Sequence, residues 1–236
     1  MISSFQFYFI FIFIFIFIFI FIFIFILFAN DIRSLIDIAS HYNDPIGHVG
    51  DVLEYNDAFG VVKDFIDENG GVVLSTSDHE TGGLTLGLQL DPEVYPEYGW
   101  HPEVIDEAKA SCYSVFVKIA NLERNKKLKS KVEQILKEDL GIEINQEEVE
   151  NIVLSHSHLP SLMRIIMESF SRRAGIGWTT HGHTGTDVNL YAYGKSDFNS
   201  VSGNIENTDV GKYIAKHMMV DFEEATRRLS DMEYIN

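Results

Sequence analysis

Cysteine is almost absent: Cys112 is the only one in 236 residues. A single thiol excludes an intrachain disulfide and any cysteine-based zinc cluster. A metal bound by this chain must be held by histidine and carboxylate, a donor set suited to hydrolytic zinc or magnesium rather than to a structural zinc finger. Basic residues are also scarce, with 18 Lys+Arg against 35 Asp+Glu and a formal net charge of −17. A surface of that sign repels nucleic-acid phosphates and argues against a nucleic-acid partner. It would repel a phosphate ester too, unless bound divalent cations reverse the potential in one cleft. The length suits one domain or two.

The N-terminal segment lacks charge, proline, and the Leu/Ala/Val/Gly mixture of ordinary membrane helices. Residues 5–28 are nearly pure Phe and Ile, interrupted by Gln6, Tyr8 and Leu27. The run is long enough to cross a bilayer as a helix. It lacks the basic n-region of a signal peptide, and no small-residue cleavage site follows it. Two readings stand for residues 1–33: a membrane anchor, or a T/A-rich non-coding repeat read in frame. As peptide outside lipid, the run is an aggregation hazard.

From Ser34 onward the composition is globular. Val49, Val52, Leu53, Phe59, Val62, Phe65 and Ile66 recur at helical spacing over 47–68, and Asn69-Gly70-Gly71 supplies the helix stop. Gly71-Val72-Val73-Leu74-Ser75-Thr76 then reads as a short buried strand. A helix followed by an apolar strand predicts an α/β fold with a central, mostly parallel sheet. Residues 103–139 and 146–173 read as a helical insertion broken by Gly141 and Pro160. Val188–Tyr193 reads as a strand ending at Gly194, and a last helical region runs from Asn207 to about Leu229. Lys126, Lys127, Lys129 and Lys131 form a basic run that reads as a solvated helix face.

Four short stretches carry candidate chemistry. Asp37 and His41 lie four apart, so on a helix they project from one face and can share a cation. By itself this pattern is common and fits a polar helix face. Asp78-His79 follows the 71–76 strand, at the end where ligands bind in open α/β sheets, and Gly82-Gly83 then permits sharp turning. His181 and His183 stand in a glycine-rich stretch just before the second strand. His156 and His158 also form a pair, but they fall inside the helical insertion and read as structural.

Three of these stretches together resemble the alkaline phosphatases, particularly those of the fungal vacuolar type. The likeness is carried by Ile36-Asp37 with His41, by Ser77-Asp78-His79-Glu80-Thr81-Gly82-Gly83-Leu84, and by His183 ahead of Asp187-Val188. Tyr95-Pro96-Glu97-Tyr98 with Trp100 and Pro102 is similar to the fungal branch. The resemblance covers about residues 34–230 and corresponds to the C-terminal part of such an enzyme. It implies a partial alkaline-phosphatase-like sandwich that hydrolyses phosphate monoesters with zinc at two sites. Asp37, His41 and His183 would bind the first zinc, which activates the hydrolytic water. Asp78 and His79 would bind the second, which holds the nucleophilic serine. His181 would stand beside the ligands as a supporting or surface residue. A homodimer and a vacuolar membrane location are implied as well.

The chain departs from that pattern upstream. The family's magnesium-binding Glu falls at Ile32 and the Gly after it at Arg33. No Asp-Ser-Ala nucleophile motif occurs, nor do the counterparts of the Asp shared by zinc and magnesium, the magnesium-binding Thr and the phosphate-clamping Arg. The expectation is a truncated copy whose second zinc site is incomplete and whose magnesium site has lost its Glu. The alternative is a membrane-anchored, metal-binding remnant without catalysis. Another superfamily member, such as a phosphodiesterase, sulfatase or phosphoglycerate mutase, is disfavoured by the Asp-His-Glu-Thr-Gly-Gly-Leu string.

Overall fold

The computed structural model describes residues 35–96 and 99–233. The Phe/Ile run at 5–28, Ile32, Arg33, Ser34, Glu97 and Tyr98 lie outside the described residues. Among the described residues, no helix is long and apolar enough to cross a membrane.

The described residues form two compact units: one takes in 35–61 with Asp78–Asp187, the other Val62–Ser77 with 188–233. Helix α1 spans 35–41 and α2 spans Pro45–Asn69, the latter matching the helix read over 47–68. Strands β1 (Val72–Thr76), β2 (Glu80–Thr81) and β3 (Thr85–Leu86) follow.

The helical insertion is present and holds the core of the first unit. It consists of α3 (Pro102–Asp106), α4 (Cys112–Ala120), α5 (Leu128–Leu140), α6 (Gln146–Ser155) and α7 (Leu159–Ala174). Leu128, Val132, Leu136 and Leu140 recur every fourth residue and are all buried, so one face of α5 packs inward. They meet Val115 and Ile119 of α4, Val149 and Ile152 of α6, and Leu162, Ile166 and Phe170 of α7. The helix ends are set locally. Asn145 and Glu148 form a reciprocal capping box on α6, and Gly141 closes α5 in the left-handed conformation. Pro160 does not break a helix as expected. It sits in the first turn of α7, where no backbone hydrogen bond is lost, and the break falls at 156–158 instead. His156 is buried with Nε2 bonded to the Ile119 carbonyl at 3.0 Å, and His158 caps α7, so this pair is structural.

Asp44 ties the α1–α2 corner to this core. Its side chain is 1% exposed and accepts from the backbone N–H groups of Ile46 and Gly47, capping α2. It also accepts from Cys112 and Tyr113 at the start of α4. One buried carboxylate thus satisfies the first turns of two helices.

Strands β4 (Ile176–Gly177) and β5 (His183–Thr184) complete the first unit. The second unit holds β1, β6 (Leu190–Gly194), the short helical turn Asn199–Val201, α8 (Asn207–Met218) and α9 (Phe222–Glu233).

The α/β class holds, but the mostly parallel sheet does not. Among the described residues the strands form three two-stranded antiparallel ladders: β1 with β6, β2 with β5, and β3 with β4. The succession α2–β1 is what a parallel unit contains, yet it does not fix the direction of the neighbouring strand. β6 arrives from far along the chain and pairs Val72 with Gly194 and Thr76 with Leu190, running opposite. For the candidate site the smaller ladders matter more. Thr81 pairs with His183, and Thr85 with Gly177, which brings two of the chemical motifs side by side.

Candidate metal centre

Three separate segments are laced together at the site: the end of α1, residues 78–84, and residues 178–184. Gly82 is the knot. Its N–H donates to the Gly182 carbonyl at 2.8 Å, and its own carbonyl accepts from Thr179 and Thr180. Its φ is +93°, and a Cβ there would fall 2.7 Å from the Trp178 ring and 3.1 Å from the Ser40 carbonyl. Only glycine combines that backbone conformation with that clearance. Glu80 braces the same turn, accepting from the Gly83 N–H at 2.8 Å and from the Thr184 hydroxyl. The Asn43 amide, oriented to satisfy its neighbours, donates to the Ser40 and Thr180 carbonyls and closes the third side.

On this frame the structure brings together Asp37, His41, Asp78, His79 and His183. His41 Nε2 lies 3.5 Å from an Asp37 carboxylate oxygen and 3.3 Å from His183 Nε2. The His79 and His183 rings stack with centroids 3.7 Å apart, and His79 Nε2 is 3.7 Å from Asp78. Asp37, His79 and His183 each present a ligand atom within 4.8 Å of the others. That tight trio crosses the division the family resemblance implies, in which His79 belongs to a different ion from Asp37 and His183.

The hydrogen bonds fix which ring nitrogens carry lone pairs. Thr81 Oγ1 donates its single proton to Asp37 at 2.8 Å, because a carboxylate can only accept. Its contact with His79 Nδ1 at 3.2 Å must then be donated by the ring, leaving His79 Nε2 as the lone-pair nitrogen. His41 Nδ1 donates to the His181 carbonyl at 2.6 Å, leaving His41 Nε2 likewise. Two carboxylates and three imidazoles, with the Nε2 atoms of His41 and His183 facing each other, form a donor set that fits zinc or a similar divalent ion. The side chains of Asp37 and His41 are 42% and 36% exposed, so the cluster is open to solvent on one side.

Beside the cluster, His48 is half-buried and its Nδ1 bonds Ser40 Oγ at 2.7 Å. Desolvation lowers its pKa, against the opposing pull of the Glu80 and Asp44 charges. Glu80 is lowered: the donors from Thr184, Gly83 and Leu84 outweigh its desolvation, the largest single effect, which raises it.

The sequence reading singled out all five clustered side chains but missed Thr81, which bonds two of them, and Glu80, Asn43 and His48, which tie the segments around them. Thr81 and Glu80 stand in the Ser77–Leu84 string and could have been read as hydrogen-bonding neighbours. Asn43 and His48 both bond Ser40, three and eight residues away, but neither belongs to a quoted motif, and Asn43's other partner, Thr180, is distant in sequence.

The sequence model of the alkaline phosphatase family matches residues 25–220. An alkaline phosphatase of Schizosaccharomyces pombe is 40% identical over 199 residues, covering 84% of this chain and 37% of that protein. The repressible alkaline phosphatase of Saccharomyces cerevisiae is 35% identical over 85% of this chain and 38% of its own length. The chain therefore spans a little over a third of these relatives. Among solved structures, a cold-active alkaline phosphatase from a psychrophilic Shewanella superposes with a TM-score of 0.60 at 27% identity, covering 70% of this chain and 38% of that one. One from Thermus thermophilus, at 20% identity and a TM-score of 0.51, shares the fold.

Proposed function

This chain belongs to the alkaline phosphatase family, and on that premise we propose that it carries the metal-binding part of a phosphomonoester hydrolase. The observation that supports the reading most is the convergence of Asp37, His79 and His183, with His41 against His183. In this reading Asp37, His41 and His183 hold one zinc, and Asp78 and His79 contribute to a second; magnesium belongs to the family, but its Glu position is Ile32 here. A bound zinc supplies Lewis acidity toward a phosphoryl oxygen and lowers the pKa of water to about 7. The chain's own residues do the rest. Thr81 holds Asp37 and His79 in register, and the His79 ring stacks on that of His183. Cations in this cluster also offset the −17 charge that would otherwise repel a phosphate monoester.

A second reading is favoured by one observation, the absence of an Asp-Ser-Ala string from these residues. With no serine nucleophile of that kind, a chain of these 236 residues alone would bind zinc without forming a covalent phosphoenzyme. The test is to assay the full chain in detergent micelles with zinc and magnesium on an aryl phosphate at alkaline pH. Turnover that disappears in His183→Ala supports the hydrolase. Zinc uptake without turnover supports the metal-binding remnant. No zinc uptake sinks both. The same reading carries membrane attachment through residues 5–28 and a homodimer, which vesicle flotation and sizing test.

A further inference from the structure

His41 and His181 hold each other by a closed pair of hydrogen bonds. His41 Nδ1 donates to the His181 carbonyl at 2.6 Å, and His181 Nδ1 donates to the His41 carbonyl at 2.9 Å. A carbonyl oxygen has no proton to give, so both Nδ1 atoms must carry hydrogen. For His41 the consequence is chemical. Its neutral ring has only one lone-pair nitrogen, and the clamp places that lone pair on Nε2, the atom 3.3 Å from His183 Nε2 and 3.5 Å from Asp37. In the other tautomer Nε2 would carry a hydrogen and could not bind a cation.

We propose that His181 is a positioning residue for the metal centre: by gripping the His41 backbone it keeps its own carbonyl under the His41 ring, and so fixes the tautomer and aim of His41. The inference rests on the metal-binding reading above. Two other contacts make the clamp specific to this place. The Gly182 carbonyl accepts from Gly82, and the Asn43 amide reaches the Thr180 carbonyl, so the segment on both sides of His181 is tied to the rest of the site. His181 is therefore held at its neighbours' backbone, and its ring spans the remaining gap to α1. Removing the ring leaves the 181 carbonyl in place but frees the His41 backbone to move away from it. The loss should accordingly fall at the lower end of the about 10–100-fold range typical for partners that orient a metal ligand.

Two readouts test this on the full chain in detergent micelles. The first is zinc affinity by calorimetric titration of the wild type, His181→Ala and His181→Asn. The Asn side-chain nitrogen can stand where Nδ1 stands and donate to the same carbonyl. His181→Ala should bind zinc roughly tenfold more weakly, and His181→Asn should recover most of that loss. Circular dichroism of the three proteins shows whether any loss is merely unfolding. The second readout needs no metal. Nitrogen-15 spectra of the metal-free protein at about pH 9, where imidazole is neutral, should show His41 protonated at Nδ1 in the wild type. In His181→Ala they should show a mixture of tautomers. Equal zinc affinity in wild type and His181→Ala, or a wild-type His41 protonated at Nε2, would overturn the proposal. If the wild type takes up no zinc, the metal reading fails, and the tautomer measurement alone decides whether the clamp exists.

Discussion

Thr81 donates its only hydroxyl proton to Asp37 at 2.8 Å, and this obliges His79 to donate from Nδ1 to the same oxygen. One side chain therefore sets both the carboxylate orientation and the imidazole tautomer. Thr81→Val keeps the shape and removes both bonds. Zinc affinity should fall about 10–100-fold with the circular dichroism unchanged, while Thr81→Ser stays near wild type. An unaltered zinc isotherm for Thr81→Val would show that Asp37 and His79 are held by something else.

Gly82 should tolerate no side chain. Its φ of +93° and the Trp178 ring 2.7 Å from a would-be Cβ put strain and collision at one position. Gly82→Ala should cost about 2 kcal/mol or more and, on the proposed metal-binding reading, weaken zinc binding, because the Gly82–Gly182 bond joins the segments that carry His79 and His183. Gly185→Ala is the control: nothing lies within 4 Å of a Cβ there, and surface substitutions of that kind stay within about 0.5 kcal/mol. Similar urea midpoints for the two variants would contradict the steric account.

Asp44→Asn should be among the more damaging conservative changes. The carboxylate accepts from Ile46, Gly47, Cys112 and Tyr113, sharing the bonds between its two oxygens. An amide has one acceptor oxygen, so its NH₂ would face a backbone N–H, donor against donor. Loss of a charged cap and an unsatisfied buried donor together cost about 2–4 kcal/mol, readable as a lower urea midpoint. A midpoint within error of wild type would mean the two helix starts are stabilised elsewhere.

The clustered side chains and the residues that hold them differ in how far the sequence reveals them. The clustered candidates were legible because their pattern is local: Asp37 and His41 share one helix face, and Asp78-His79 is contiguous. Helix α2 was legible from spacing, and the ends of α2 and α5 from the Asn69-Gly70-Gly71 stop and Gly141, whereas the breaks between α3, α4 and α5 were not read. Strand direction was not, because β1 is oriented by β6, whose arrival no local pattern announces. Asp44 was invisible for the same reason, since half of its donors lie at Cys112 and Tyr113. The roles of Thr81 and His181 depend on which proton points where, which only the assembled hydrogen bonds reveal.

His48 gives the last prediction, a pH dependence of stability. Its ring is half-buried, and desolvation holds its pKa below the 6.5 of a free imidazole, with Glu80 and then Asp44 pulling the other way. In the unfolded chain the ring is solvated and takes up a proton near 6.5. Between the folded and unfolded values the unfolded state therefore binds more protons, so stability rises with pH across that window. Stated the other way, the contribution is fully present above 6.5 and is lost as the pH falls from there through the folded-state value. Carboxylates titrate lower and add a background slope, so the informative quantity is a difference between two proteins. In His48→Asn the side-chain nitrogen can still donate to Ser40 Oγ, which the native Nδ1 meets at 2.7 Å, but it cannot titrate. Urea midpoints measured at about pH 7.5 and about pH 5.5 should fall for both proteins, and fall less for His48→Asn. Equal falls would mean that His48 takes up its proton as readily in the folded protein as in the unfolded chain. Glu80→Gln should act in the opposite sense: removing the larger of the two stabilising charges lowers the folded-state value further and steepens the loss on acidification.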